Sequence, residues 1–572
     1  MSEKWREIRT RFRDLFQTLG TKFLIVVILV EHLLQGFIFG GGGSGIVGAP
    51  IIYLMKAYKL SASRIQVLRT VAVSPWALKP LFGMISDVLY IGGYNKIPYI
   101  IMTLLISILS CFIIAFIQPL SSLGLTILLF FVFLQIAVVD LLIEAKYTEK
   151  VAQNPSISPD LITFTSIGGH LGQILAIILV GIMITYLAHL QYIYIIPIPI
   201  LIVTLWPIYW NWIEDVPYNP EQTKPLKNLF YRMAWFRHYH PGNPHINQTQ
   251  QIPVVGFDLE KARENRNIFL LGIIITVISL TSSLIGFLNV PTLVLFIFSL
   301  LSSMAMIFCF FMMIDRRIAL IQIFVILQNM FTISIDSAAF FFYTDQEEQF
   351  PEGPHFSNFF FVTIMGVIAI VFSICSHIFY NLFMTKWKFR NVLIMANLVY
   401  ITVSIPSIFF YLRWNHKVGI PDSVFILGSE ALSVVTGTWT MMPLVLLMLQ
   451  LCPEGIEATV FALLAGSSNL GNALSQYQGA FILEIFGVNP SGLIGESHQF
   501  DNLWKVSLIA LCLPLIPICT IPFLIPDASQ TEKLLVTKEE DALRKEMEEE
   551  EEMQKIDKFM ETTTTDDASL SE

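Results

Sequence analysis

Fourteen apolar stretches, separated by polar joints, run along this chain at 22–54, 64–90, 97–118, 122–146, 160–188, 191–213, 267–288, 291–314, 317–343, 357–384, 391–411, 422–451, 456–486 and 502–526. Each is long enough to cross a bilayer core of about 30 Å, which takes about 20 residues of helix. The pattern predicts an all-α polytopic membrane protein of about 14 transmembrane helices. The first stretch is too long for the apolar core of a cleavable signal peptide.

The polar joints orient the spans. Lysine and arginine are expected on the cytosolic side. Alternate joints carry Lys96; Lys146 and Lys150; Lys224, Lys227, Arg232, Arg237, Lys261, Arg263 and Arg266; Arg316 and Arg317; and Lys386, Lys388 and Arg390. The intervening joints are nearly free of positive charge, apart from Lys56, Lys59 and Arg413–Lys417. This predicts two cytosolic termini and six domains: a basic arm (1–21), an N-terminal six-helix half (22–213), a cytosolic loop (214–266), an inserted helical hairpin (267–314), a C-terminal six-helix half (315–526) and an acidic cytosolic tail (527–572). Two six-helix halves joined by a long cytosolic loop is the plan of the major facilitator superfamily.

Composition sharpens the picture. Over the 572 residues, 54% are hydrophobic and 14% charged, with a mean hydropathy of +0.65. A soluble chain carries roughly a quarter charged residues. Much of the net charge of −9 sits in the tail, around Glu546–Glu552, which reads as disordered or as a solvated helix. None of the six cysteines has CxxC spacing, so no disulfide framework or zinc site is expected. No nucleophile–base pair, metal-ligand spacing or nucleotide fingerprint is visible, so neither an enzyme nor a cofactor is expected. Nothing points to nucleic acid.

Ionisable residues within a span are costly and are functional candidates by default. The second span is the densest in them: Trp76, Lys79, Pro80, Gly83 and Asp87 share a helical face, and Pro75 and Pro80 interrupt backbone hydrogen bonds. A buried Lys79 requires an anion, either a carboxylate of the protein or one of a substrate. Asp140, Glu144 and Tyr147 share a face of the fourth span and can bind a proton or pair with Lys79, Lys146 or Lys150. Glu31, His32, His170, Asp336 and Glu430 complete the set. Glu31 precedes the run Gly40–Gly45, which loosens its helix and exposes backbone amides. Asp336 precedes small residues and then Phe340, Phe341, Phe342 and Tyr343, suiting a flat heteroaromatic ligand or, equally, an interfacial aromatic belt.

These segments carry a resemblance. Pro75–Gly83 with Ser86-Asp87, Asp140 with Glu144–Tyr147, Ala338–Asp345, Phe350–Ser357, Arg413–Asn415, Gly419–Asp422 and Cys452–Thr459 with Ala465-Gly466 and Asn469–Gly471 resemble the folate–biopterin transporter family of the major facilitator superfamily, in its kinetoplastid form. The resemblance spans 23–526. It implies uptake of folate, biopterin or related pteridines, usually with protons, and fourteen spans. One departure is Ser429-Glu430, where many members carry an acidic residue directly after the glycine at 428. Asp87 with Gly92, Gly93 and Lys96 resembles the facilitators' cytoplasmic latch between the second and third helices.

The expected protein is therefore a secondary active transporter in the lipid bilayer. The plasma membrane is the default and an organelle membrane stays open. Lys79, Glu31, Asp336, Trp76 and Phe340 are candidates for binding substrate. Asp87, Asp140, Glu144, Glu430 and His170 are candidates for proton coupling or gating. The alternatives are the same fold carrying S-adenosylmethionine or a small monocarboxylate, and a non-transporting sensor or scaffold acting through the tail.

Overall fold

A computed structural model describes residues 13, 15–41, 43–153, 158–215, 224–225, 255–257, 259–450 and 457–530. Most of the basic arm, much of the loop and nearly all of the acidic tail lie outside the described residues, so the expectations placed on them go without structural comment.

Fourteen helical segments cover the fourteen stretches. Twelve are long and apolar enough to cross a membrane: α1 Thr21–Phe39, α3 Ile97–Phe116, α4 Ser122–Lys150, α5 Thr163–Tyr186, α6 Leu190–Tyr209, α7 Arg266–Phe287, α8 Thr292–Met313, α9 Arg316–Thr344, α10 Phe360–Met384, α11 Phe389–Tyr411, α12 Asp422–Met448 and α14 Ser497–Leu524. The remaining two are α2, running Ala62–Val73, Ser74–Leu78 and Lys79–Val88, and α13, Glu457–Ile485. Both are helical but fall outside those twelve, so the count of fourteen spans is not matched by that measure. The reason lies in their residues. Helix α2 is interrupted by a 3-10 turn and carries Arg64, Arg69, Lys79 and Asp87. Helix α13 holds a run of serine, asparagine and glutamine.

Local chemistry sets the breaks. Pro75 and Pro80 each stand in the first turn of their segment of α2, where a missing N–H costs least. Helix α1 ends at Phe39 because Gly40 turns left-handed, with φ of 67°. The stretch drawn as one span over 22–54 is thus a helix, a glycine turn and a short helix Pro50–Lys56. The chain is also not purely helical: Leu89–Ile91, Val255–Phe257 and Lys224–Pro225 form a small antiparallel sheet, which fastens part of the central loop to the end of α2.

The two halves repeat one packing scheme. In the first, α5 packs on α1, α4 on α2, and α3 on α4 and α6; in the second, α13 packs on α9, α12 on α10, and α11 on α12 and α14. The α1–α5 contact is made by glycines: a Cβ on Gly36 would meet the backbone of Gly169 at 2.5 Å, and one on Gly168 would run into the His32 ring. The halves then meet reciprocally, α2 against α13 and α5 against α10.

The hairpin α7–α8 lies over the α2–α13 seam. The Arg64 guanidinium donates to the carbonyls of Gly286 and Phe287 at 2.8 and 3.2 Å, and Ser283 donates to Ser74 at 2.7 Å. On the other side Tyr477 donates to the Ser282 carbonyl at 3.0 Å, and Phe296 stacks on Phe481 at 4.5 Å. The two helices too polar to face lipid are those that the hairpin covers. Its outer face is apolar: Leu270, Ile273, Val277, Leu280 and Leu284 are exposed at helical spacing. The protein is an integral multi-pass membrane protein, with the bilayer as the solvent for such stripes.

Candidate functional site

The proline break in α2 positions the site. It turns Trp76 and Lys79 toward α1 and α4. Lys79 is buried and its ammonium lies 2.5 Å from Asp140 and 3.7 Å from Glu144. It also sits 4.6 Å above the Trp76 ring, which packs on Phe39 at 4.9 Å. Tyr147 donates to Glu144 at 3.3 Å, and Glu31 lies within electrostatic reach of Lys79, Asp140 and Glu144. One ammonium is thus set among three carboxylates. One Glu31 oxygen and the Trp76 indole N–H are buried without a hydrogen-bond partner. Of the two anions that the sequence left open for Lys79, a protein carboxylate occupies the place in this conformation.

A second group lies in the other half. Asp336, exposed at the start of the second segment of α9, and Glu430 on α12 are electrostatic neighbours. Tyr343, Tyr400 and Tyr411 surround them, with the hydroxyls of Tyr343 and Tyr411 3.2 Å apart. A Cβ at Gly428 or Gly437, on the same helix as Glu430, would meet open space.

The other candidates lie apart from these two groups. Phe340 is 2% exposed, packed edge-on to Tyr53 at 4.9 Å and beneath the Lys56 ammonium at 5.3 Å. Asp87 accepts a hydrogen bond from Thr459, joining the C-terminal end of α2 to the N-terminal end of α13 across the halves. Lys96, paired with Asp87 in the latch expectation, lies 3.0 Å from Glu149. His170 faces His377 across the α5–α10 seam, ring centres 5.9 Å apart.

The sequence reading passed over one cluster. Lys56 lies 2.6 Å from the fully buried Asp345 carboxylate, joining the halves at the end predicted to be outside. Lys59 donates to the Gly492 carbonyl at 2.9 Å, and Ser63 to Asn489 at 2.8 Å, at the same end. The available signal was the charge rule itself, since Lys56 and Lys59 break it. Arg413, another exception, is neutralised by a two-pronged contact with Asp422 at 3.0 and 2.8 Å.

Comparison with known proteins agrees with this architecture. The chain is 25% identical over 520 residues to "Probable folate-biopterin transporter 6" of Arabidopsis thaliana, covering 90% of this chain and 85% of that one. It is 31% identical over 190 residues to "Folate-biopterin transporter" of Synechocystis sp., covering 33% and 34% of the two chains. Among solved structures, the peptide transporter POT in complex with sulfate superposes with a TM-score of 0.58 at 14% identity, covering 88% of this chain and 94% of that one. The nucleoside transporter NupG superposes with a TM-score of 0.54 at 12% identity, covering 88% and 100%. These likenesses show the major facilitator fold. A model of the BT1 family matches residues 45–547, from the glycine turn through the last span, and the chain belongs to that family.

Proposed function

We propose that this chain carries folate or an unconjugated pterin such as biopterin across a membrane, together with protons, by alternating access. The observation that supports this best is the buried Lys79 group. One ammonium balances one carboxylate, so Glu31, Asp140 and Glu144 leave room for a proton between spans that must move past each other. The relatives' names supply the cargo class. The outer closure at Lys56–Asp345 and the inner contact at Asp87–Thr459 supply two ends for a rocking motion to break in turn. In this reading the termini face the cytosol and the host membrane is the plasma membrane.

The test is uptake of radiolabelled folic acid, biopterin and S-adenosylmethionine into cells expressing the chain, at acidic and neutral pH, with and without a protonophore. Saturable folate or pterin uptake that rises in acid and collapses with the protonophore is expected. Uptake of neither, with the protein shown at the surface, overturns the pteridine reading. One observation favours the second cargo: Asp336, Glu430 and their tyrosines form an acidic aromatic group suited to a sulfonium cation. Uptake of S-adenosylmethionine alone would select it.

A further inference from the structure

Helix α2 carries three cations, and one of them, Arg69, is used neither by the Lys79 group nor, as Arg64 is, by the hairpin. Arg69, Val73 and Trp76, at i, i+4 and i+7, are partly exposed, while Leu68, Thr70, Val71 and Ala72 beside them are buried. The other faces of α2 are occupied. Arg64 and Ser74 hold α7. Gln66 donates to the carbonyls of Ser334 and Gln476 at 3.0 and 2.7 Å, holding α9 and α13. Leu68 and Ala72 are buried in the same apolar core as Phe133 and Ile136 of α4, which packs on α2. The open stripe therefore points between α4 on one side and α9 and α13 on the other, into the space where the halves meet. Ala62 and Ile65, buried on the same stripe above Arg69, close it toward the outer end.

Among the described residues the Arg69 guanidinium has no hydrogen bond, ion pair or ring contact. An arginine held within a span without an anion is costly, and the Lys79 ammonium, by contrast, is already taken by Asp140. A guanidinium fork matches a carboxylate bidentately. Seven residues along, across the start of the 3-10 turn, the Trp76 indole N–H is buried and lacks an acceptor. We propose that Arg69 is the receptor for the carboxylate of an anionic cargo whose flat ring reaches Trp76, so that Arg69 sets the preference for carboxylate-bearing pteridines over unconjugated ones. This inference rests on the cargo class proposed above.

The experiment compares folic acid, which carries two carboxylates, with biopterin, which carries none, in wild type, Arg69→Gln and Arg69→Lys. Arg69→Gln should raise the KM for folate roughly tenfold to a hundredfold, the scale of a charged hydrogen-bonded contact, and leave biopterin uptake within about twofold. Intact biopterin uptake also reports that the variant folds and reaches the membrane. Arg69→Lys should recover part of the folate affinity. Equal loss of both substrates, or loss of neither, overturns the role of Arg69 and leaves the pteridine reading standing. Wild-type uptake of neither compound overturns both.

Discussion

Lys79 is held by protein carboxylates, which makes its stability role separable from its transport role. Removing a buried charge from a pair leaves its partner uncompensated, at a cost of about 3–5 kcal/mol. Lys79→Met should therefore lower the thermal stability of the purified protein by about that amount, and Lys79→Met with Asp140→Asn should recover much of it. A double variant as unstable as the single one would show that Asp140 is not the partner that matters. The carboxylates on the second and fourth spans were legible because charge inside an apolar run stands out. Arg69 was not singled out, because it lies among Arg64, Gln66 and Thr70 in a stretch that reads as the polar start of a span. Only the burial of its neighbours shows which way it faces.

At the level of elements, helix contacts in the first half depend on glycine. Gly36→Ala would place a methyl group 2.5 Å from the Gly169 backbone and force α1 from α5. Overpacking of this kind costs about 1–3 kcal/mol, read as a lowered unfolding temperature in detergent. The Lys56–Asp345 closure offers a different test. Asp345 lies just beyond the end of α9, where burial pushes its carboxyl above the usual aspartate range while Lys56 pulls it the other way. The ion pair is present above that raised pKa and is lost as pH falls through it, earlier than for an ordinary aspartate. Asp345→Asn at neutral pH should mimic acid on wild type. Both should speed labelling by an impermeant maleimide, with rates normalised to the thiolate fraction at each pH, of a cysteine placed at Ala62, which is fully buried and bonds through its N–H to the Pro490 carbonyl at 2.8 Å. Unchanged labelling would show that the closure does not depend on this pair. The span starts and ends were legible from apolar length, but the glycine run was read as loosening a helix that it in fact ends. No sequence pattern joins Lys56 to Asp345, which are 289 positions apart; the two were visible only as a misplaced cation and a member of an acidic loop.

Over the whole molecule, the two halves touch along two unlike flanks. At one, the hairpin binds both α2 and α13; at the other, among the described residues, α5 meets α10 without such a cover, with Thr363 against Gly181 and Ile177 against Gly366. A rocking carrier should tolerate tying the hairpin to α2, which leaves α2 and α13 free to part, and fail when α5 is tied to α10. In a background without the six native cysteines, oxidising a Ser74→Cys, Ser283→Cys pair should leave uptake intact. Bridging His170→Cys and His377→Cys with a short bifunctional reagent should stop it. The reverse result would place the moving seam under the hairpin. That two halves exist was legible from the charge alternation and from the long polar joint. That the inserted hairpin covers the two most polar helices was not, because amphipathicity says that a face must be hidden and not which neighbour hides it. Two bundles laid side by side leave two furrows open to the lipid, and here one is already filled. Among the described residues, the furrow left for exchange between the bilayer and the interior runs along α5 and α10, and a greasy inhibitor entering from the membrane should arrive on that side.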